Sequence, residues 1–487
     1  MVSTFHGLEI AKRGLFAQQS ALSTTAHNIA NANTQGYTRQ RAEMQATTPI
    51  PNAGMNVDKT PGQLGTGVEV AKLVRLREDY LDVQFRGENK NLGYYEAKSD
   101  TLSKMEELLN EPSETGLAET MDQFFNSWQE LSKNPDSGAS RSVVRQTGVA
   151  VAETFNYISN SLDQLQEDLK NVISAKTKDV NSLATQISSL NDQISRLVPN
   201  NYQPNDLYDR RDLLLDQLSK LVDVKVKTYP ETGMVDVSVG GELLVQGKTA
   251  KSFSIGFDPT SGLVNPAEIM IGSDPVSLNS GELLGLMESY GITDGSSNNS
   301  IPNLKSKIDN LAKTFAEKVN QVHQDGLNLD NINGGMPATP IFFTGTTAKT
   351  LSVNPEIMQN LNLIAAAKEE SPGTSSTGNG ENAKEMAAIK TAILGFNGAT
   401  SNATDFYRNI IAQLGTDSQE AQRMQDNSNL IVQQVENRIQ SVSGVSLDEE
   451  MANMIKFQQA YNAAARVVTI MDECLDKVIN GMGRVGM

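Results

Sequence analysis

Three histidines, His6, His27 and His323, are the side chains whose type best suits metal ligation or proton transfer near neutral pH. None belongs to a set of ligands at metal-site spacing, so each reads as a structural histidine. Gly62, Gly65 and Gly67 suggest a loop that cradles phosphate, but no Lys-Ser or Lys-Thr follows and no strand-to-helix context surrounds them. A turn in a connector is expected instead. Residues Asp325 to Gly335 have the composition of a calcium loop, yet their oxygens do not fall at alternate positions and no glutamate closes the run, which predicts an exposed loop. Asp209, Arg210, Arg211 and Asp212 form a dense charged cluster beside Leu213 to Leu215. It suits an ion pair between subunits, or else a solvated helix face or internal pairing worth under about 1 kcal/mol per exposed pair. Cys474 reads as a small core residue near a helical seam, with a reactive thiol as the alternative. No catalytic, cofactor or metal site emerges from these groups, and the reading is of a protein that is not an enzyme.

The whole chain fits that exclusion. Its 487 residues predict two to four domains. Hydrophobic residues at 38% and charged residues at 20% describe a soluble globular protein, and aromatics at 5% suit long helices better than dense cores. A formal charge of -17, with no clustered Lys and Arg run, makes nucleic acid a poor partner, because such binding draws its affinity from neutralised phosphates. A single cysteine excludes an internal disulfide and a cysteine-pair zinc site. No secretory signal or membrane-length apolar run is evident, so no membrane partner is expected and composition alone reads as cytoplasmic.

The distinctive residues lie in stripes at the two ends. Leu8, Ala11, Leu15, Gln18, Leu22, Thr25 and Ile29 step by three and four, the seam of a coiled coil. The stripe stops in the turn formers from Asn31 to Tyr37. Near the other end Ser446 and Glu449 have capping-box spacing, predicting a helix start with the hydroxyl on one free N–H and the carboxylate on another. Met451, Met454, Tyr461, Ala465, Val468, Leu475 and Val478 then step by three, four or seven, with Gln458 and Asp472 as polar positions in the seam. Ile431, Val435, Ile439 and Val442 carry a similar stripe upstream. Two amphipathic helices at opposite ends need partners: each other, which would complete a monomer, or neighbouring subunits.

The run His27-Asn-Ile-Ala-Asn-Ala-Asn-Thr-Gln-Gly-Tyr-Thr-Arg39 resembles the N-terminal signature of flagellar axial proteins, the rod, hook and hook-associated subunits. Val445 to Arg466, running into Thr469 to Glu473, resembles their C-terminal signature. The Phe457-Gln-Gln-Ala-Tyr461 form and the segment Asp206 to Val222 are similar to the hook-associated branch, and a mostly helical middle argues against hook protein or distal rod. The resemblance implies a structural subunit of the junction between hook and filament. Copies would form a ring or tube through heterologous contacts, with hook protein on one side and the next hook-associated protein on the other. It implies export through the flagellum's own type III channel and an extracellular, flagellar location, which overrides the cytoplasmic reading. It also implies a cytoplasmic export chaperone, expected to cover Met451, Ile455 and Tyr461.

In the middle, Val151, Phe155, Ile158, Leu162, Leu165, Leu169 and Val172 form one heptad seam, and Leu183, Ile187, Leu190, Ile194 and Leu197 a second with shifted phase. Neither Gly nor Pro separates them, which predicts one long helix ended by Pro199 and Pro204. From Val224 the period becomes two, through Val226, Val235, Val237, Val239, Phe253, Ile255 and Phe257, the pattern of a small antiparallel β domain. Helical pattern returns at Leu304, and Ser371 to Asn382 reads as a flexible loop. The expected fold is mainly α with a β insertion: terminal helices paired as a coiled coil, a rod-like helical domain and a small β domain at the tip. The expected boundaries are 1–40 with 430–487 for the assembly domain, 41–75 for a connector, 76–223 with 300–429 for the helical domain and 224–299 for the insertion. The expected seam comprises Leu8, Leu15, Leu22, Ile29, Met451, Met454, Tyr461, Ala465, Val468 and Leu475.

Overall fold

The computed structural model describes residues 5–50, 63–109, 113, 116–295, 298–334, 339–371 and 373–481. Gly62 and Gly335, named above, lie outside them. Its long helices are α1 (His6–Ala30), α2 (Asp79–Leu109), α3 (Leu117–Lys133), α4 (Gly138–Leu197) and α5 (Asn205–Leu221). Then come α6 (Glu282–Tyr290), α7 (Ile301–Gln324), the short α8 (Leu329–Ile332), α9 (Pro355–Gln359) and α10 (Glu381–Ala388), and finally α11 (Ala403–Ser443) and α12 (Leu447–Asp476). Two compact units share them: residues 1–89, 180–252 and 429–487 make the first, and 90–179 with 253–428 the second.

In the first unit α1 packs along α12, and strands β1 (Gln40–Ala46) and β2 (Val68–Arg75) form an antiparallel hairpin on α1. The stretch expected as a connector therefore contributes a two-stranded sheet. Gly67 leads into β2 against Ile10 and Arg13 of α1, so that glycine serves packing. Strands β3 (Val224–Tyr229), β4 (Met234–Val239), β5 (Glu242–Gln246) and β6 (Thr249–Ala250) form an antiparallel sheet in sequence order. Val235, Val237 and Val239 are buried on one face of β4, as strand alternation requires. Asn191 of α4 anchors the sheet: its amide donates to the carbonyls of Val235 and Gly247, both at 2.7 Å, and its oxygen accepts the Val235 N–H.

In the second unit β7 (Phe253–Phe257), β8 (Val264–Ile271) and β9 (Asp274–Pro275) form a separate sheet, followed by α6. The single β domain expected over 224–299 is thus two sheets in different units, because a period of two reports strands but not which sheet they join. Two short hairpins follow, β10 (Phe343–Thr344) with β11 (Ser352–Val353), and β12 (Leu394–Phe396) with β13 (Ala399–Ser401). The core forms where α3 presents Leu117, Met121, Phe124, Phe125, Trp128 and Leu131 at helical spacing, all buried. They meet Phe155 of α4, Phe315 of α7, Phe342 and Phe343, with ring centroids 4.9 to 6.3 Å apart. Six of the 14 phenylalanines and the one tryptophan gather here, so the low aromatic content is concentrated rather than spread.

Two cationic residue types are buried beside these rings. Arg141 donates to the carbonyls of Pro135 and Ile364, and burial pushes its guanidinium down to about 10. His323 donates from Nδ1 to the Pro340 carbonyl at 2.8 Å and accepts the Ala365 N–H at Nε2 at 3.0 Å. Burial holds it neutral, with its pKa lowered to about 4. The helix α4 runs unbroken for 60 residues. Its buried line passes from Leu169 to Ile173, leaving Val172 partly exposed, then resumes at Val180, Ala184 and Ile187. The phase changes between Leu169 and Ile173, within the second unit.

Candidate assembly site where the two ends meet

Near its start α1 meets the far end of α12: a side chain at Gly7 would collide with Met471 Cε. Near its end, Asn28 Nδ2 donates to Glu450 Oε2 at 3.0 Å. The helices therefore run antiparallel, and the same three heptads separate Gly7 from Asn28 and Glu450 from Met471. On α12 the least exposed line is Glu450, Met454, Phe457, Tyr461, Ala464, Val468, Met471 and Leu475, alternating steps of four and three. Met454, Tyr461, Val468 and Leu475 of the expected seam lie on it, with Ala465 beside it, all half-buried. Met451 and Val478, also expected in the seam, are exposed, as are Gln458 and Asp472. The line starts at Glu450, which places Met451 one position off it. Cys474 is exposed for the same reason, since Met471 and Leu475 hold the seam positions beside it.

On α1 the line joining those two contacts runs through Gly7, Ala11, Gly14, Gln18, Ala21, Thr25 and Asn28. Ala11, Ala21, Thr25 and Asn28 are buried, whereas the expected Leu8, Leu15, Leu22 and Ile29 are half-buried beside it. Small residues let two backbones approach closely, and the leucines flank the contact rather than fill it.

The two sequence signatures meet in a polar cluster. Asn28 uses all four of its hydrogen-bonding positions: Nδ2 donates to the Gln40 carbonyl and Glu450, and Oδ1 accepts from Tyr37 Oη at 2.8 Å and the Gln40 N–H at 3.0 Å. Arg39 donates to both Glu450 and Glu449 at 2.7 Å, and its backbone N–H to the Ser443 carbonyl at 2.9 Å. Burial alone would lower the Arg39 pKa, but the two glutamates outweigh it and hold the guanidinium above its ordinary value. Tyr37 is pushed up by burial and by the charges of Asp206, Asp209 and Glu450. Ser446 accepts the Glu449 N–H as expected of a cap, but the Glu449 carboxylate reaches Arg39. Gly36 turns the chain at φ +78°, where any Cβ would press on Leu213, so glycine is required twice over. His27 stands 3.3 Å from Asp206 and edge-on to Tyr37, and His6 contacts the Gly65 carbonyl, both structural placements.

Beneath this cluster lies a buried ionic one. Asp209 accepts the Thr38 N–H and pairs with Arg75 at 2.9 Å, and Asp212 pairs with Arg75 at 2.7 Å. Arg77 pairs with Asp82, and Arg86 with Asp216, each at 2.7 Å. Burial tends to raise the Asp212 pKa, but Arg77, Arg75, Arg86 and Arg211 outweigh it and lower it. Asp216 keeps the opposite balance, pushed up to about 6 by burial. Of the four charged residues for which an intersubunit pair, a solvated face and internal pairing were all open, Asp209, Arg211 and Asp212 are buried with internal partners, and Arg210 is exposed. Arg211 donates to the Gly233 carbonyl and Asn191, with its pKa lowered to about 10 by burial. The partners Arg75, Arg77 and Arg86 went unread because they lie more than a hundred residues away in sequence.

Among the described residues no group of three or more His, Cys, Asp or Glu could hold a metal ion. The oxygens of the loop after α7 have protein donors: Asn328 and Asn331 cap α8, and Asp330 accepts from Asn360 and Asn362. No helix among those residues is long and apolar enough to cross a membrane.

Both signatures, joined where α1 packs along α12, mark the chain as a structural subunit of the bacterial flagellar axis. Residues 8–38 match the model of the flagella basal body rod protein, and 438–481 that of the flagellar basal body rod FlgEFG protein C-terminal region. Residues 102–342 match the flagellar hook-associated protein FlgK helical domain. Flagellar hook-associated protein 1 of Bacillus subtilis (strain 168) is 43% identical over 99% of both chains, and that of Escherichia coli (strain K12) 26% identical over 96% of this chain and 98% of its own. The chain belongs to the flagellar hook-associated protein 1 family and is a structural component of the flagellum at the hook–filament junction. The solved flagellar hook junction protein FlgK from Burkholderia pseudomallei shares the fold, with TM-score 0.60 and 15% identity over 75% of this chain and all of that one.

Proposed function

We propose that the chain polymerises through α1 and α12 as a coiled coil, building a ring or tube that contacts hook protein on one side and the next hook-associated protein on the other. The observation that carries this reading is the state of α12. Beyond Glu450 its inner line is only half-buried with α1 in place, and its outer face leaves Met451 50% exposed and Ile455 60% exposed, with Val467 and Ile470 also open. An apolar helix face left this open marks a surface for further protein.

The same face calls for cover before assembly. A cytoplasmic export chaperone would rest on Met451 and Ile455, which are free beside α1, and on Tyr461, which α1 half covers. Chaperone and α1 would then compete for Tyr461. Delivery through the flagellum's own type III channel and an extracellular location complete the reading. Met454→Glu with Tyr461→Glu is expected to abolish chaperone capture of the soluble chain and attachment of filaments in cells lacking their own junction protein. Capture and attachment at the unmodified level would place the assembly and chaperone surfaces elsewhere.

A further inference from the structure

The facing line of α1 offers little shape to fix where α12 sits. Its residues at every seventh position are Gly7, Gly14 and Ala21, small enough that sliding α12 by one heptad would leave similar apolar contacts. In the observed alignment Met471 stands at Gly7 and Glu450 at Asn28. By the same spacing Ala464 falls at the level of Gly14 and Phe457 at the level of Ala21. We propose that Glu450, held by Asn28 and Arg39, is the residue that selects this register and thereby fixes which apolar face of α12 is presented for assembly. The proposal rests on the reading of α1 and α12 as assembly elements.

Glu450 is 2% exposed, and its carboxylate is fully occupied by Asn28 Nδ2 and the Arg39 guanidinium. A slide of one heptad toward the start of α1 would bury that carboxylate opposite Ala21, away from both donors. A buried charge without a partner is strongly disfavoured, whereas small apolar contacts tolerate the shift. A lone polar position in an apolar helical seam is a known means of setting register. Asn28 reinforces the choice, because it is already locked onto the Gln40 backbone and Tyr37 and cannot follow a moving partner.

Disulfide trapping in the full chain, with Cys474→Ser, reads the register directly. Gly14→Cys with Ala464→Cys reports the observed alignment, and Gly14→Cys with Phe457→Cys the slid one. A Cβ at Gly14 meets nothing within 4 Å, so that probe is tolerated. With Glu450 present, the 14–464 disulfide is expected to form and the 14–457 disulfide to be near background. Glu450→Ala is expected to raise the slid product relative to the observed one on the order of tenfold, and Arg39→Ala, which leaves Asn28 in place, by less. An unchanged product ratio in Glu450→Ala would overturn the proposal. So would the loss of both disulfides with the second unit still folded, since Glu450 would then hold the pair together without choosing its register. An unchanged ratio in a chain that still restores filaments sinks the register role alone. The assembly reading itself falls if chains lacking the terminal helices restore filaments.

Discussion

The two units solve the problem of a buried centre with opposite chemistry. In the first, the centre below the signature turn is ionic, with Arg75, Arg77 and Arg86 among Asp82, Asp209, Asp212 and Asp216. In the second, it is a packed set of rings around Phe124, Trp128 and Phe342. Ring burial is non-directional and stabilises in proportion to area, about 1.5–3 kcal/mol for a fully buried Phe. Paired charges contribute little net stability but punish misplacement. The unit that carries the terminal helices thus has a centre suited to fixing geometry, and the other has a centre suited to holding together.

The largest test of that contrast removes a ring. Trp128→Ala is expected to cost about 4 kcal/mol in urea unfolding of the second unit, through lost burial and the cavity left behind. An effect below about 1 kcal/mol would mean the rings are not its main support. Asp212→Asn should destabilise the first unit by about 3 kcal/mol, because Arg75 and Arg77 lose their shared buried carboxylate. A neutral outcome would show that the ionic centre is dispensable.

Acid sharpens the comparison, because His323 in the second unit and Asp216 in the first should respond to it with opposite sign. His323 has a depressed pKa of about 4, so its contribution is present above the ordinary histidine value and is lost as pH falls toward 4. Asp216 has a raised pKa of about 6, so its contribution is present below the ordinary carboxylate value and is lost as pH rises through 6. Between pH 4 and 7, His323→Gln should therefore flatten the pH dependence of the second unit by about 2–3 kcal/mol. Asp216→Asn should gain on the unmodified chain by about 1–2 kcal/mol as pH rises over the same range. Thermal melts of each variant across that range would show parallel curves if neither group is linked to folding. The smallest effect belongs to the cap: Ser446→Ala should cost about 1 kcal/mol, seen as faster hydrogen exchange in the first turn of α12, since its hydroxyl accepts the Glu449 N–H. Unaltered exchange there would assign the start of α12 to Arg39 alone.

The sequence showed the helical periods well and the faces in part: Ala11, Gln18 and Thr25 of the expected stripe lie on the observed line of α1, and its leucines do not. Leu8, Leu15, Leu22 and Ile29 recur every seventh residue, yet the line that joins the contacts with Met471 and Glu450 is the adjacent one of Gly7, Gly14, Ala21 and Asn28. Periodicity weights large apolar residues, whereas close backbone approach selects small ones. The single long α4 was legible because nothing between its two seams breaks a helix. The ionic centre was half legible: Asp209 to Asp212 stood out as a cluster, but its partners come from β2, α2 and the turn between them, and only the fold brings them together. Arg39 and Glu450 lay inside recognisable signatures, but their meeting could not be read from either signature alone.

The central claim is that the paired ends are the assembly elements. It is tested most directly by supplying cells that lack their own junction protein with either the full chain or a chain without residues 1–35 and 430–487, and scoring filament attachment. The account predicts attached filaments with the full chain and none with the shortened one. Equal attachment with both would contradict it and move assembly to the middle of the chain.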